Sequence, residues 1–134
     1  MHPALGIDYG DTRVGVAATD PIGILAHPVE TIDVRRMDPI ERIAALVSAR
    51  QIQTLVVGLP LNLDGEEGKA VLKVRHFANK LKKRIPDIPL EYIDESLSTV
   101  EAAEKLRQAG RSAKKQKAII DQAAAVEILN RWMG

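Results

Sequence analysis

The chain has 134 residues, 46% of them hydrophobic, with no cysteine and a formal net charge of +1. That length suits one domain, residues 1–134, with a real hydrophobic core. The missing cysteines exclude disulfides, zinc–thiolate centres and thiol nucleophiles, and no apolar run approaches the roughly 20 residues of a membrane span.

Ala4-Leu5-Gly6-Ile7-Asp8 and Arg13-Val14-Gly15-Val16-Ala17 flank a short polar turn containing Gly10 and Asp11. This pattern predicts a β-hairpin. Pro28 to Ile32 reads as a short third strand. Asp38-Pro39-Ile40-Glu41 predicts a helix start, with Asp38 as cap, Pro39 in the first turn and Glu41 completing a capping box. Thr54-Leu55-Val56-Val57-Gly58 is a continuous apolar run, as expected for a strand covered on both faces. The loop Leu59 to Gly65 follows it. Ala70, Val71, Val74, Phe77, Ala78 and Leu81 then recur at helical spacing, and Pro86 and Pro89 end that helix. Leu90 to Glu95 is a fifth strand with two acids at its end. Ser98 to Glu101 opens a third helix, which Gly110 stops. Arg111 to Lys117 reads as a basic loop or frayed helical turn, and a last helix spans roughly Gln116 to Met133. The order β-β-β-α-β-α-β-α-α predicts an α/β fold, a mixed sheet with helices on its faces.

Three acids stand out. In open α/β sheets, ligands gather at the C-terminal ends of the parallel strands. Asp8 lies at the end of the first strand, and Glu95 follows the last with Asp94 beside it. If strands one, four and five are parallel neighbours, these acids share an edge. Asp121 lies on the last helix in register with Ala124, Ala125, Ile128 and Trp132, the core-facing stripe. A carboxylate there needs a compensating cation, either a divalent metal or an arginine or lysine. Converging carboxylates make an oxygen-rich site suited to Mg²⁺ or Mn²⁺. His2, His27 and His76 show no ligand spacing, and no serine sits in a nucleophile-elbow pattern. The net charge does not announce nucleic-acid binding, yet the basic residues cluster at Lys80, Lys82, Lys83 and Arg84, and again at Arg107, Arg111, Lys114, Lys115 and Lys117.

Four segments together carry a resemblance: Gly6 to Ala17, Val57-Gly58-Leu59-Pro60-Leu61-Asn62, Asp94 to Thr99, and Ile120 to Ala125. They resemble the YqgF (RuvX) family of RuvC-like nucleases through nearly the whole chain. The resemblance implies an RNase H-like fold with helices on both sheet faces. It also implies a Mg²⁺- or Mn²⁺-dependent nuclease that matures the 5′ end of the small-subunit rRNA precursor. An older family label is Holliday junction resolvase. The family's acids fall on Asp8, Glu95 and Asp121, as catalytic residues and metal ligands. Arg13 matches the family's hairpin arginine and Asn62 its Gly-Leu-Pro-Leu-Asn loop. With Arg111, Lys114, Lys115 and Lys117, these are the expected nucleic-acid contacts. Ser96 stands where the family usually has arginine, which puts phosphate handling beside Glu95 in question.

The expected partner is structured RNA or branched DNA rather than a membrane, for a cytoplasmic protein acting as a monomer or homodimer. A junction resolvase would need a two-fold dimer to cut symmetric strands. Two other classes compete. A non-catalytic RNA-binding module would rely on shape and phosphate contacts, since one Trp, two Tyr and one Phe offer few stacking platforms. An actin-like ATPase shares the glycine-rich hairpin but needs a second domain for which 134 residues leave no room.

Overall fold

A computed structural model describes residues 2–60, 68–94 and 113–134, the side chains of the last segment from 119 onward. Five strands form one sheet: β1 (Ala4–Tyr9), β2 (Arg13–Thr19), β3 (Ala26–Asp33), β4 (Thr54–Leu59) and β5 (Leu90–Asp94). Their order is β3-β2-β1-β4-β5. The β1–β2 and β2–β3 pairs are antiparallel, while β1–β4 and β4–β5 are parallel. The expected hairpin, the parallel neighbours and the mixed sheet are all present. The third strand is longer than its predicted core and carries a bulge opposite Val16 and Ala17.

The helices are α1 (Pro39–Arg50), α2 (Lys69–Arg84) and α3 (Ala113–Met133). Asp38 caps α1 through Oδ1, which accepts the Ile40 amide at 2.9 Å. Glu41 does not reach back to close a capping box. Both its oxygens accept from Arg84 instead, at 2.8 and 3.1 Å, because the guanidinium fork offers a bidentate charged partner. The pair ties α1 to the end of α2.

Side-chain alternation divides the sheet into two unlike faces. Leu5, Ile7, Val14, Val16, Leu55 and Val57 pack with α1 and α2 in the larger core. Each such side chain, fully buried, contributes about 1.5–3 kcal/mol. The other face presents Ala4, Gly6, Gly15, Ala17 and Val56, and α3 lies on it through Ala125, Ile128 and Leu129. These small residues let the helix backbone come close to the sheet. A Cβ at Gly6 would stand 2.6 Å from Leu129 Cγ and 2.8 Å from the Ala125 carbonyl oxygen.

The basic segment before the last helix takes the helical one of its two expected forms, with helix described from Ala113 rather than Gln116. The chain is helical from Ala113, so Lys114, Lys115 and Lys117 lie on helical backbone rather than in a loop. Alanine, lysine and glutamine are strong helix formers, and their propensity outweighs mutual repulsion of the lysines. The helix expected to start at Ser98 lies outside the described residues.

Candidate functional site

Asp8 is the fifth residue of β1 and stands half-buried on the face that α3 covers. Its register partner across the hairpin is Gly15. A Cβ on Gly15 would collide with the carbonyl oxygen of Asp121, so this glycine admits the α3 backbone directly onto the sheet. Asp8 and Asp121 therefore flank one sheet position, contributed from residues far apart in the chain. Gln122 fixes the helix on its other side, donating from Nε2 to Thr31 Oγ1 on β3 at 3.1 Å.

The Asp121 side chain keeps 18% exposure, and Arg13 Nε donates to its Oδ2 at 2.8 Å. Arg13 opens β2 and shares the α3 face with Gly15 and Ala17 by alternation. Of the two compensating cations open to Asp121, an arginine is thus in place. Burial pushes the Asp121 carboxyl above the usual carboxylate range, and the hydrogen bond and charge of Arg13 pull it back only in part. The pair leaves the ionised carboxylate short of compensation.

At the end of β5, the Asp94 carbonyl accepts from Arg131 Nη1 of α3 at 2.8 Å. The strand that leads to Glu95 is thereby tied to the helix that carries Asp121. Glu95, Asn62 and Arg111 lie outside the described residues, as do the side chains of Lys114, Lys115 and Lys117. The structure joins Arg13 to Asp121 and sets Asp121 against Gly15, the register partner of Asp8. Among the described residues, no group of three acidic or histidine side chains is clustered as a metal site.

On the opposite face of the same sheet edge, Tyr9, Gly10, Asp11, Pro60, Lys69 and Lys73 line a cleft of about 230 Å³. Asp11 Oδ2 accepts from Lys73 Nζ at 3.0 Å across it. Sequence reasoning missed Lys69 and Lys73. Their spacing from Lys80 and Lys83 on one helix was the available signal.

A family model described as RuvX, Holliday junction resolvase, matches residues 2–134. The chain belongs to the RuvX family. A relative from Nocardia farcinica is 46% identical over 136 residues, covering 96% of this chain and 76% of its own length. One from Rhodococcus opacus is 47% identical over 135 residues, covering 96% and 75%. Both carry the name "Putative pre-16S rRNA nuclease". Among solved structures, Thermus thermophilus RuvC in complex with a Holliday junction substrate superposes with a TM-score of 0.60 at 15% identity. That match covers 97% of this chain and 92% of the RuvC chain. The RuvX chain thus has the RNase H-like fold of RuvC, as its sequence implied.

Proposed function

We propose that this protein is a divalent-metal-dependent nuclease that hydrolyses phosphodiester bonds, acting at the 5′ end of pre-16S rRNA in the cytoplasm. The observation that carries this reading is the seat of Asp121 against Gly15, the register partner of Asp8 on the sheet face that α3 covers. The names of the RuvX relatives supply the substrate.

The donor set fits Mg²⁺ or Mn²⁺. It consists of carboxylate oxygens, and burial leaves Asp121 under-compensated by Arg13. Asp8 and Asp121, with Glu95 following β5, would hold the ion. Its chemistry there is activation of a water and stabilisation of the leaving oxygen. Arg13 orients the Asp121 carboxylate through Nε, and its guanidinium retains further N–H donors for a substrate phosphate. Asn62 and the basic residues Arg111, Lys114, Lys115 and Lys117 would extend the contact along the polymer.

A second reading, cleavage of branched DNA, draws on the family description and on the fold shared with RuvC. One experiment tests both readings. Purified protein is incubated with an RNA spanning the pre-16S 5′ end and with a four-way DNA junction, in Mg²⁺, Mn²⁺ or EDTA. The proposal expects metal-dependent cleavage of the RNA that is lost in Asp8→Asn. Cleavage of the junction alone would favour the second reading. Binding without cleavage of either would return the protein to the class of RNA-binding modules.

A further inference from the structure

The helix α2 is charged in a way the acid site does not explain. It holds seven Lys and Arg residues in 16 and no Asp or Glu, although the whole chain balances 19 bases against 18 acids. Solvated helix faces ordinarily mix signs, because pairs of like charge at four-residue spacing repel. The start of α2 also opposes the usual preference, with Lys69 in the first turn and no acid within that turn.

Some of this charge is anchored to the fold. Arg75 and Lys82 lie over the Tyr92 ring, at 5.0 and 5.5 Å from its centroid, and Arg84 is held by Glu41. The other four lysines form a line, with His76 set among them. Lys69, Lys73, His76, Lys80 and Lys83 are spaced by four, three, four and three residues, and all are exposed. At 100° per residue they fall within an arc of about 80°, and at 1.5 Å per residue the line runs about 21 Å. Among the described residues, Lys69, Lys80 and Lys83 have no ion-pair partner. Lys73 reaches Asp11 at the rim of the cleft under the hairpin turn.

We propose that this line is a second phosphate track, which carries the nucleic-acid strand over the edge of the sheet from the acid site onto α2. The proposal rests on the nuclease reading. The cleft sits on the C-terminal edge of β1 and β4, just past Asp8, so a strand leaving the acids meets Lys69 and Lys73 first and Lys80 and Lys83 farther on. The chemistry recognised is a polyanion of regularly spaced phosphates, without base readout. An anionic membrane would require large apolar side chains beside the lysines to enter the bilayer. Leu72 is the one exposed large hydrophobic residue on this helix.

The test replaces Lys69, Lys73, Lys80 and Lys83 with alanine. Alanine has the highest helix propensity and the change removes like-charge repulsion, so melting should not fall. Binding of a fluorescein-labelled RNA stem–loop is titrated in EDTA from 50 to 300 mM salt. The slope of log Kd against log salt should flatten by about one unit for each phosphate that the variant no longer neutralises, and affinity at the lowest salt should drop at least about tenfold. An unchanged slope in a well-folded variant overturns the track. If the wild type still cleaves and Asp8→Asn does not, the nuclease reading survives that failure. Conversely, a flattened slope with full cleavage by Asp8→Asn keeps the track and removes the acid assignment. Loss of binding to phosphatidylglycerol vesicles with RNA binding intact would reassign the line to a membrane and overturn the proposal.

Discussion

Arg13 and Asp121 are 108 positions apart, and a 2.8 Å hydrogen bond from Nε to Oδ2 joins the first residue of β2 to the helix packed over it. The pair is the point where the hairpin and α3 share charge. An arginine contact ordinarily lowers a carboxyl pKa. Here burial wins, and the Asp121 carboxyl stays above its usual range. The bond orients the carboxylate without neutralising the cost of keeping it ionised.

That balance gives a signed prediction for the metal-free protein. Folding raises the Asp121 pKa, so the folded state binds this proton more tightly than the unfolded chain does. The ionised group therefore costs stability at pH values above its folded pKa, and the cost is relieved as pH falls through that pKa toward the unfolded value near 4. Asp121→Asn should melt at or above the wild-type temperature in EDTA at pH 7.5, with the gap closing as pH is lowered. Arg13 is partly exposed, so water can solvate it in the variant. A mutant that melts lower at pH 7.5 would show that the Arg13 pair outweighs burial.

Gly15 is the structural hinge of the site. Gly15→Ala would place a methyl group against the Asp121 carbonyl, which is backbone and cannot swing aside. The expected cost is at least the 1–3 kcal/mol of an overpacked core, with displacement of α3 from β2. Cleavage should fall further than folding, because Asp121 moves with its helix. Denaturant melts alongside turnover of the same sample measure both effects. A variant as stable and active as the wild type would mean that Asp121 is not held through this contact.

The hairpin, both parallel strands and the Asp38 cap were legible because each is written in neighbouring residues. Leu5 and Ile7 alternate with Gly6 and Asp8, and Asp38 sits directly before Pro39. The stripe of Ala124, Ala125 and Ile128 likewise placed Asp121 toward the sheet, and all three are buried. What local pattern did not carry was partner choice. Glu41 had two satisfactory uses, and only the meeting of α1 with α2 decides for Arg84. The role of Gly15 depends on a helix that begins 98 residues later. The small-residue face of Ala4, Gly6, Gly15 and Ala17 was its visible trace. His2 showed no pattern at all, yet its ring packs edge-on to Trp132 at 5.2 Å and against Gly23.

His2 belongs to a clasp at the far end of the sheet. Thr19, 3% exposed, accepts the Ala4 amide at 2.8 Å, and its hydroxyl lies 3.2 Å from His2 Nδ1. Thr19→Val keeps the shape and leaves a buried amide without its acceptor, at a cost of about 1–3 kcal/mol. Because the clasp is remote from Asp8, the stability loss should come with unchanged cleavage at a temperature where both proteins are folded. Chemical denaturation and a cleavage assay on the same preparation would show whether the two properties separate in this way.

The acid site itself is best tested without relying on turnover. If Asp8 and Asp121 hold a divalent ion, Mn²⁺ binds the folded chain in preference to the unfolded one. At a hundred times its dissociation constant it should stabilise the fold by about 2.7 kcal/mol, which for a chain of this size raises Tm by roughly 10 °C. Asp8→Asn keeps the side-chain size and removes one donor charge, so its metal-free melt should stay close to the wild type or rise slightly as repulsion between the acids is relieved. Most of the Mn²⁺-dependent shift should then be missing, in Asp8→Asn and in Asp121→Asn alike. The two single losses should not add in the double variant, because each already dismantles the same site. Full Mn²⁺ stabilisation of Asp121→Asn, with the shift gone only in Asp8→Asn, would assign Asp121 to the Arg13 pair and to packing. Asp8 would then hold the ion with other donors.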